Sequence, residues 1–264
     1  MILIFTIAEL TGVADPTRLA PVLPTMQNHF QAHGIPLPPF SETASVQGIR
    51  DAAKALGLPL MLKSRRGGYD GRGNAILKEV SDESIQNALA SLGVEPGTVD
   101  GLDLYAEGWV NFDSEIAVMV VRSTTGETRA YPTVTAIQTD SICRVVLAPA
   151  RNVPPEIRRW CEDIASRAVD SFGDGATGMF GVEMFLVNNA SGSTDVLLNE
   201  IAPRPHNTGH YTQDACSVSQ FENHLRAVCG LPLGDTSMCV GAAASESFCR
   251  EIKCDPNILS LIFI

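Results

Sequence analysis

The amino-acid sequence predicts a soluble α+β protein. Short β-branched segments and amphipathic helical segments follow one another in mixed order along the 264 residues, as expected for antiparallel strand pairs joined by crossover helices. Apolar residues make up 45% and charged residues 19% of the chain, a composition typical of a globular protein rather than a disordered one. A chain of this length buries a substantial core, either as one large domain or as two small ones.

The net charge indicates which binding partners are not expected, and the cysteines indicate the cellular compartment. The formal net charge is −11 and the chain has no long basic stripe, so nucleic acid and anionic membranes are not expected partners. The seven cysteines include no CxxC pair, which favours free thiols in a reducing cytoplasm. The apolar start "MILIFTIAEL" lacks the basic n-region of a signal peptide and is interrupted by Glu9. We therefore expect neither a signal peptide nor a membrane-spanning helix.

The first half of the chain alternates helices and strands after an irregular start. Residues 1–26 show no clear period. Helices are predicted over "QNHFQAHGI", "SVQGIRDAAKALG" and "SDESIQNALASLG", the last with Ser81 as its N-cap. "PLPPF" is predicted to be an extended connector, "LPLMLKS" and "NAILKEV" a pair of strands, and "GLDLYAEGWV" a strand that runs into a turn at Gly108.

The second half is predicted to contain further strands and two helices. "SEIAVMVVRS" is a β-branched strand, with "TRAYPTVTAI" as its partner. "GMFGVEMFLVN" and "DVLLNEIAP" form a hairpin around a polar loop. "PPEIRRWCEDIASRAVDSFG" is an amphipathic helix with Pro155 in its first turn, and "DACSVSQFENHLRAVCG" is helical. From Met238 the chain changes character, and we expect residues 239–264 to pack poorly and to be removable without loss of stability.

The stretch "KSRRGGYDGRGNAIL" gathers four basic residues and four glycines between residues 63 and 73. It contains neither a Walker A motif nor GxGxxG, since position 76 is Ile. Because it lies between two predicted strands, it is expected to be a long hairpin loop whose glycines leave backbone N–H groups free to surround an anion. Lys63, at the end of the incoming strand, can reach a phosphate. The alternative is a solvated basic hairpin tip.

Two acids interrupt apolar strands in the second half. Glu183 lies in "FGVEMF" and Glu200 in "LLNEIAP", and a carboxylate in such a strand is costly unless a partner neutralises its charge. Antiparallel pairing brings both onto one face, with Asn199 beside them. Two carboxylates and an amide oxygen suit magnesium with bound phosphates. The alternative is a pair of acids on an exposed sheet face.

The loop "PRPHNTGH" follows at once and concentrates Arg204, His206, Asn207 and His210. Two histidines four residues apart would bind zinc on a helix, but the prolines and the glycine of this loop oppose a helix. A serine hydrolase is also disfavoured, because the chain contains no GxSxG motif.

A connector between the two subdomains offers a further binding position. Glu107 ends one predicted strand and Glu115 begins the next. A hinge of this kind is a natural slot for a flat ring, held by backbone groups and apolar walls.

Four motifs in this order resemble one known family. "KSRRGGYDGRGN", "YAEGWVNFDSEIAVMVVRS", "GMFGVEMF" and "LNEIAPRPHNTGHYTQDACSVSQFENHLRA" are similar to the N5-carboxyaminoimidazole ribonucleotide synthetases, ATP-grasp enzymes of purine biosynthesis. The similarity extends to the fungal bifunctional phosphoribosylaminoimidazole carboxylases. It covers about residues 27–237, and "NEIAPRPHN-GH" is its most specific part. The resemblance implies an ATP-grasp fold, with the nucleotide bound between the two α/β subdomains.

The resemblance also implies the reaction and its ligands: carboxylation of aminoimidazole ribonucleotide by bicarbonate, driven by ATP through carboxyphosphate, with Mg²⁺ as cofactor. Members of the family commonly form dimers. Arg204 and His206 would hold bicarbonate or carboxyphosphate, while Tyr69, Asp70 and Asn207 would face the ribonucleotide. Glu183 and Glu200 would ligate magnesium. The implied ATP-binding residues are Lys63, Gly68, Tyr69, Asp70, Gly71, Arg72, Gly73, Asn74, Glu107, Gly108, Trp109, Val110, Glu115, Asn199 and Glu200.

The resemblance divides the chain into four parts and shows departures from the family. Residues 1–26 correspond to a poorly matching remnant of the domain before the grasp, 27–106 to the small subdomain, 107–237 to the large subdomain and 238–264 to a tail outside the family. A basic residue expected near residues 20–24 is missing, and a histidine expected in "VTAIQTDSIC" is Gln138. The chain is therefore expected to be the ATP-grasp core of a longer enzyme. Another ATP-grasp ligase and a non-catalytic nucleotide-binding remnant remain as alternatives.

Overall fold

The structure is a computed structural model that describes residues 25–65, 73–139, 142–189, 191–246 and 262–263. These residues form two sheets, one of four strands and one of eight, with helices packed against them. Within the described ranges, no helix is long and apolar enough to cross a membrane. Most of the predicted glycine-rich loop, residues 66–72, lies outside the described residues, as does the irregular start up to residue 24.

The small sheet follows a first helix, α1 (Thr25–Ala32). Its strands are β1 (Phe40–Ser45), β2 (Leu60–Ser64), β3 (Asn74–Leu77) and β4 (Asp100–Gly108), in the spatial order β1-β4-β2-β3 and antiparallel throughout. Helices α2 (Val46–Leu56) and α3 (Asp82–Ser91) cover one face and enclose a core that includes Leu60, Leu62 and Leu104. The serine before each helix caps it, since Ser45 accepts a hydrogen bond from Gly48 N and Ser81 from Ser84 N.

The large sheet occupies the rest of the chain. Its strands are β5 (Ser114–Arg122), β6 (Thr128–Ala130), β7 (Val134–Thr139), β8 (Ile142–Ala148), β9 (Gly178–Asn188), β10 (Thr194–Ala202), β11 (Ala243–Glu246) and β12 (Ile262–Phe263). The spatial order is β10-β9-β5-β7-β8-β11-β12, with β6 also pairing with β5. Three helices accompany it, namely α4 (Pro155–Asp170), α5 (Thr212–Ala215) and α6 (Gln220–Val228).

Alternation along β5 supplies the two cores of the large subdomain. Its even-numbered residues, Ile116, Val118 and Val120, pack with residues of α4 and with Phe30 of α1. Its odd-numbered residues, such as Met119, pack on the other face of the sheet. Because Phe30 lies in the first of these cores, α1 packs against the large sheet, whereas the sequence placed it in the small subdomain.

Most predicted elements are confirmed, and four details differ. Strands β1 and β8 were not predicted; four of the six residues of "FSETAS" are polar, and Arg144 interrupts the apolar pattern of "ICRVVLA". The predicted partner of β5 is two strands, since Pro132 between them cannot donate a ladder hydrogen bond. The predicted last helix is also interrupted. It divides into α5 and α6, and Ser219 caps α6 by accepting from Glu222 N.

The predicted tail also differs from expectation where it is described. Strand β11 pairs antiparallel with β8 and so extends the large sheet. Met238 and Val240, just before it, pack against the second core of that sheet. The start of the tail is therefore a structural part of the large subdomain.

Candidate functional site

The two sheets are joined across their cleft by Lys63, near the end of β2. Its ammonium group lies 2.5 Å from Glu107 Oε2 on β4 and donates to Asn199 Oδ1 on β10 at 3.3 Å. The side chains of Lys63 and Glu107 are only 15% and 4% exposed. The predicted phosphate-binding lysine is thus held between the small sheet and the acidic strands of the large one.

Glu107 is paired through both of its carboxylate oxygens. Its second oxygen, Oε1, accepts a hydrogen bond from Gln27 Nε2 at 2.7 Å. Gln27 belongs to α1, so the helix that packs on the large sheet also contacts the small one. A buried carboxylate needs such partners. The hydrogen bond from Gln27 orients the carboxylate of Glu107 so that its other oxygen faces Lys63. No feature of the sequence indicated Gln27.

The hinge after Glu107 is partly exposed. Gly108 donates its backbone N–H to Pro39 O at 2.8 Å, and the Trp109 side chain is 42% exposed. Val110 is half-buried. Phe112, a little further along, stacks on Phe185 of β9 with ring centroids 4.6 Å apart. The hinge therefore has an aromatic wall beside it, as a slot for a flat ring requires.

Glu183 and Glu200 face one another across β9 and β10. They are direct Cα partners, and the register shifts between Leu198 and Glu200, which leaves Asn199 as the extra residue of a β-bulge. The bulge explains how neighbouring residues serve different sides of the cleft. Asn199 reaches Lys63, while Glu200 lies opposite Glu183. The two acids are therefore adjacent, whereas the amide of Asn199 contacts Lys63.

Glu183, Glu200 and Glu115 lie close together, and nearby positive charge does not fully balance their negative charge. Burial, and next the charges of Glu200 and Glu115, raise the pKa of Glu183 to about 8, although Arg204 opposes the shift. Burial also raises the pKa of Glu115. Carboxylates that resist ionisation in this way are stabilised by a nearby cation. The donor set fits a hard divalent cation such as Mg²⁺, which takes one or two protein carboxylates and fills its remaining positions with water and phosphate oxygens.

Gln138 is the main contact of this group that sequence reasoning missed. Its side chain hydrogen-bonds both Glu115 and Glu183, and each hydrogen bond lowers the pKa of the carboxylate concerned. The register of β7 against β8 shifts between Ile137 and Gln138. The sequence analysis noted this position only because the family has histidine there.

The loop of residues 203–210 brings His206 beside Glu183. His206 Nδ1 lies 2.9 Å from Thr208 Oγ1 and 3.7 Å from Glu183 Oε1. Burial, and next the charges of Arg204 and His210, lower the pKa of His206 to about 3. At neutral pH the ring is therefore uncharged, so its contact with Glu183 is not an ion pair.

Glycines at two positions let this loop lie against the sheet. A Cβ atom on Gly181 of β9 would lie 2.6 Å from His206 Cβ, and one on Gly209 would lie 2.5 Å from Gln220 Oε1. Gln220 fixes His206 by accepting from its backbone N–H at 3.0 Å and donating to its carbonyl at 2.8 Å. The loop is thus clamped from α6 against the sheet.

A zinc site is not formed by the two histidines of this loop. Residues Asn207–Gly209 form a short 3-10 helix between His206 and His210. In the described part of the chain, no group of three or more His, Cys, Asp or Glu side chains is arranged to hold a metal ion. Asn207 is half-buried in the 3-10 helix. The predicted magnesium site, by contrast, needs only two protein carboxylates.

The base of the glycine-rich loop is described, but its tip is not. Gly68, Tyr69, Asp70, Gly71 and Arg72, all predicted ligands of ATP or substrate, lie outside the described residues. At the base, Lys63 pairs with Asn74, and Ser64 N donates to Gly73 O at 2.8 Å. The loop therefore starts and ends directly beside the lysine.

Comparisons with known proteins give matches over most of the chain. A model of the ATP-grasp domain matches residues 28–221. Phosphoribosylaminoimidazole carboxylase of Schizosaccharomyces pombe is 43% identical over 238 residues, which is 89% of this chain and 40% of that protein. N5-carboxyaminoimidazole ribonucleotide synthase of Bacillus subtilis is 38% identical over 238 residues and is covered to 58%.

Solved structures show the same similarity. Carboxyaminoimidazole ribonucleotide synthase from Aspergillus clavatus, complexed with ATP, superposes with a TM-score of 0.70 at 40% identity, over 81% of this chain and 53% of that one. The enzyme from the same organism in complex with ADP and 5-aminoimidazole ribonucleotide gives 0.69 at 39% identity, with the same coverage. The chain thus spans about half the length of these two structures.

Proposed function

This chain belongs to the ATP-grasp family, and from that premise we propose that it carboxylates 5-aminoimidazole ribonucleotide with bicarbonate at the expense of ATP, in purine biosynthesis. The named activities of its relatives support this reaction. The chain spans 40% of the length of the Schizosaccharomyces pombe protein, so the activity of the whole enzyme is a proposal here. The observation that carries it is the contact from Lys63 to Asn199 across the cleft, beside the paired acids Glu183 and Glu200.

ATP lies between the two sheets in this proposal. Lys63 binds its phosphates as a point charge, and the loop of residues 68–74 covers them. Residues 107–110 hold the adenine through backbone groups, next to the stacked Phe112 and Phe185. Glu115 accepts hydrogen bonds from the ribose hydroxyls. Burial raises the pKa of Glu115. Hydrogen bonds donated by the ribose hydroxyls would stabilise its charged form.

Glu183 and Glu200 hold magnesium, and Asn199 adjoins them. When bound, the ion supplies positive charge to the phosphate oxygens during phosphoryl transfer. Gln138 keeps Glu115 and Glu183 in place through its hydrogen bonds to both.

The proposed carboxylation takes two steps. The loop of residues 203–210 and the cleft between the sheets orient the reactants in both. A bicarbonate oxygen attacks the γ-phosphorus of ATP, ADP leaves, and carboxyphosphate forms. The exocyclic amine then attacks the carboxyl carbon. The N–C bond forms as the C–O bond to phosphate breaks, the amine loses a proton, and inorganic phosphate leaves. Arg204 and the uncharged His206 hold bicarbonate and carboxyphosphate, while Tyr69, Asp70 and Asn207 face the ribonucleotide. The protein's contribution is orientation, charge neutralisation and exclusion of water.

An assay of coupled turnover tests the proposal. ADP release and incorporation of labelled bicarbonate are measured with 5-aminoimidazole ribonucleotide present and absent. We expect both to require the ribonucleotide, and we expect Glu200→Ala to lower magnesium-ATP affinity at least tenfold by calorimetry, since about two charge-assisted contacts are lost. Glu222→Gln on α6 is the control, because Glu222 is an acid paired only with Arg226 of its own helix in the described contacts.

Two outcomes would count against the proposal. Normal magnesium-ATP affinity in Glu200→Ala would contradict the metal assignment. Binding of magnesium-ATP without turnover that depends on the ribonucleotide would favour the alternative of a nucleotide-binding core without this activity.

We also infer a cytoplasmic homodimer. The cysteines of the described residues, Cys143, Cys161, Cys216, Cys229 and Cys239, are free thiols, which suits a reducing compartment. The dimer rests on the family resemblance alone. Sedimentation of the purified chain tests it, and a monomer at micromolar concentration would contradict it.

A further inference from the structure

A pocket between α1, the small sheet and β10 contains an arginine to which the proposed nucleotide site gives no role. The pocket has a volume of about 130 Å³ and is lined on one side by Asn199 and Glu200. Arg65 lines the other side, from the position directly after β2 and two residues beyond Lys63. The volume corresponds to about four water molecules at liquid density, which is enough for a small anion.

The guanidinium group of Arg65 is withdrawn from water but not fully paired. Its side chain is 12% exposed, and Nη2 lies 3.3 Å from Glu42 Oε2. Its Nε is buried without a hydrogen-bond partner among the described residues. The backbone is fixed, since Arg65 N donates to Asp103 O at 3.0 Å. A guanidinium has five N–H donors, and burying one without an acceptor costs free energy. Arg65 therefore has donors to spare for an anion.

Glu42 is a counter-ion that an anion can displace. Its side chain is 49% exposed, so its carboxylate can turn towards water at little cost. It lies on β1, directly opposite Tyr105 of β4. It also accepts a hydrogen bond from Asn28 Nδ2 at 3.0 Å, which keeps it near the pocket when it leaves Arg65. Arg65 cannot turn away in the same manner, because it is buried.

Tyr105 adds a neutral donor to the same pocket. Burial, and next the charges of Glu107 and Glu200, raise the pKa of its hydroxyl. The hydroxyl therefore keeps its proton at neutral pH and can donate it to an acceptor in the pocket.

We propose that Arg65 is a second phosphate-binding cation beside Lys63, and that this pocket is the subsite in which it receives a phosphate group. A planar guanidinium can donate two parallel hydrogen bonds to a phosphate, whereas Glu42 lies within 4 Å of Arg65 at one nitrogen, Nη2. The phosphate belongs either to ATP or to the ribonucleotide substrate. This inference rests on the proposed function for the identity of that ligand.

Binding measurements on the whole chain test the subsite. Magnesium-ATP, 5-aminoimidazole ribonucleotide and inorganic pyrophosphate are titrated separately by calorimetry. Arg65→Met should raise the Kd of the ligand whose phosphate occupies the pocket by about 10- to 100-fold, since charge-assisted hydrogen bonds are lost. Arg65→Lys should recover part of the affinity. Glu42→Gln should leave the Kd unchanged or lower it, because a competing counter-ion is removed.

The direction in which Glu42→Gln changes the Kd distinguishes a ligand site at Arg65 from a purely structural ion pair. Arg50→Met is the matched control, since Arg50 pairs with Asp82 on the far side of the small sheet's helices and should leave every Kd unchanged. A Kd shift confined to ATP assigns the pocket to an ATP phosphate, and one confined to the ribonucleotide assigns it to the 5′-phosphate. The inference is overturned if Arg65→Met changes no Kd, or if Arg65→Met and Glu42→Gln weaken binding equally.

The pyrophosphate titration keeps this test apart from that of the proposed function. If the wild-type chain binds no magnesium-ATP, the proposed function fails. Pyrophosphate binding that depends on Arg65 would still support the subsite. The absence of any pyrophosphate binding would then overturn it too.

Discussion

The charged side chains on one side of the cleft are paired with partners that offset the cost of burying them. Lys63 is neutralised by Glu107, whose other oxygen is satisfied by Gln27, so this side of the cleft is balanced. On the opposite side, burial and two neighbouring acids raise the pKa of Glu183, and Arg204 and the amide of Gln138 oppose that rise. A cation bound beside Glu183 and Glu200 would offset this excess of negative charge.

The elevated pKa of Glu183 makes stability depend on pH. The pKa rises from 4.5 to about 8 on folding, so the folded state binds a proton more tightly than the unfolded state. The stability that this group contributes is present below pH 4.5 and is lost as pH rises through 8. We expect Glu183→Gln to raise the melting temperature of the metal-free protein at pH 8.5 and to change it little at pH 4.5. The gain at high pH is on the order of a few kcal/mol.

Thermal unfolding at the two pH values, with chelator present, measures the effect. Glu222→Gln is again the control, since Glu222 is about half-exposed on α6 and should show no such difference. Equal effects of Glu183→Gln at both pH values would show that Glu183 ionises normally in the folded protein.

Among the elements, β10 decides the geometry of the site through its bulge. A regular strand alternates faces, so a shift of one residue turns every later side chain to the opposite side. The extra residue at Asn199 lets β10 present hydrophobic Val196 and Leu198 to the core and still set Glu200 opposite Glu183.

Deleting Asn199 should therefore remove a contact across the cleft and leave the two acids paired. We expect the deletion to make β10 regular beyond Leu198, with Glu200 still opposite Glu183, and to remove the hydrogen bond that Asn199 accepts from Lys63, which weakens magnesium-ATP binding about tenfold. The contacts of Val196 and Leu198 precede the deletion, so a cooperative melt should persist with a modest loss of stability.

Calorimetry with magnesium-ATP and circular dichroism melts check this prediction. Deletion of Ser191, an exposed residue of the β9–β10 turn, is the control, and it should keep ATP binding because it lies outside the bulge. Unchanged magnesium-ATP affinity after deletion of Asn199 would show that its contact with Lys63 does not contribute to binding.

At the scale of the whole molecule, helix α1 and polar contacts such as that of Lys63 with Asn199 link the two sheets. Helix α1 packs its Phe30 into the core of the large sheet, while Gln27 and Asn28 contact Glu107 and Glu42 of the small sheet. The cleft between the sheets is thus closed along one side by α1, and the pocket of Arg65 lies at that side.

The edge of the large sheet gives a prediction for the tail. Strand β8 has β11 as its outer neighbour, so truncation after Gly241 exposes the hydrogen-bonding groups of β8. We expect a lower melting temperature and concentration-dependent aggregation, since exposed strand edges pair with other chains. Melts and light scattering over a concentration series measure both. An unchanged melting temperature would restore the earlier expectation that residues 239–264 add no stability.

Local patterns were sufficient to predict most elements of this protein, and motifs were sufficient for its family. Helix caps such as Ser81 and the alternation of β5 are properties of neighbouring residues, so they are visible in sequence. Glu183 and Glu200 stood out for the same reason, because each interrupts an apolar strand. Strand β1 could not be recognised, since its pattern is half polar and its partner β4 lies about 60 residues further along the chain.

The sequence by itself determined the two-subdomain α+β architecture, the acids, the lysine and the loops that approach one cleft. Only the tertiary structure decided that α1 serves both sheets, that Gln27 and Gln138 hold the carboxylates, and that Arg65 lines a pocket beside them. These contacts join residues that are distant in the chain, such as Gln27 and Glu107, which are 80 positions apart. Their free energy depends on burial and on the exact neighbours that folding provides. No local pattern of residue types encodes that information.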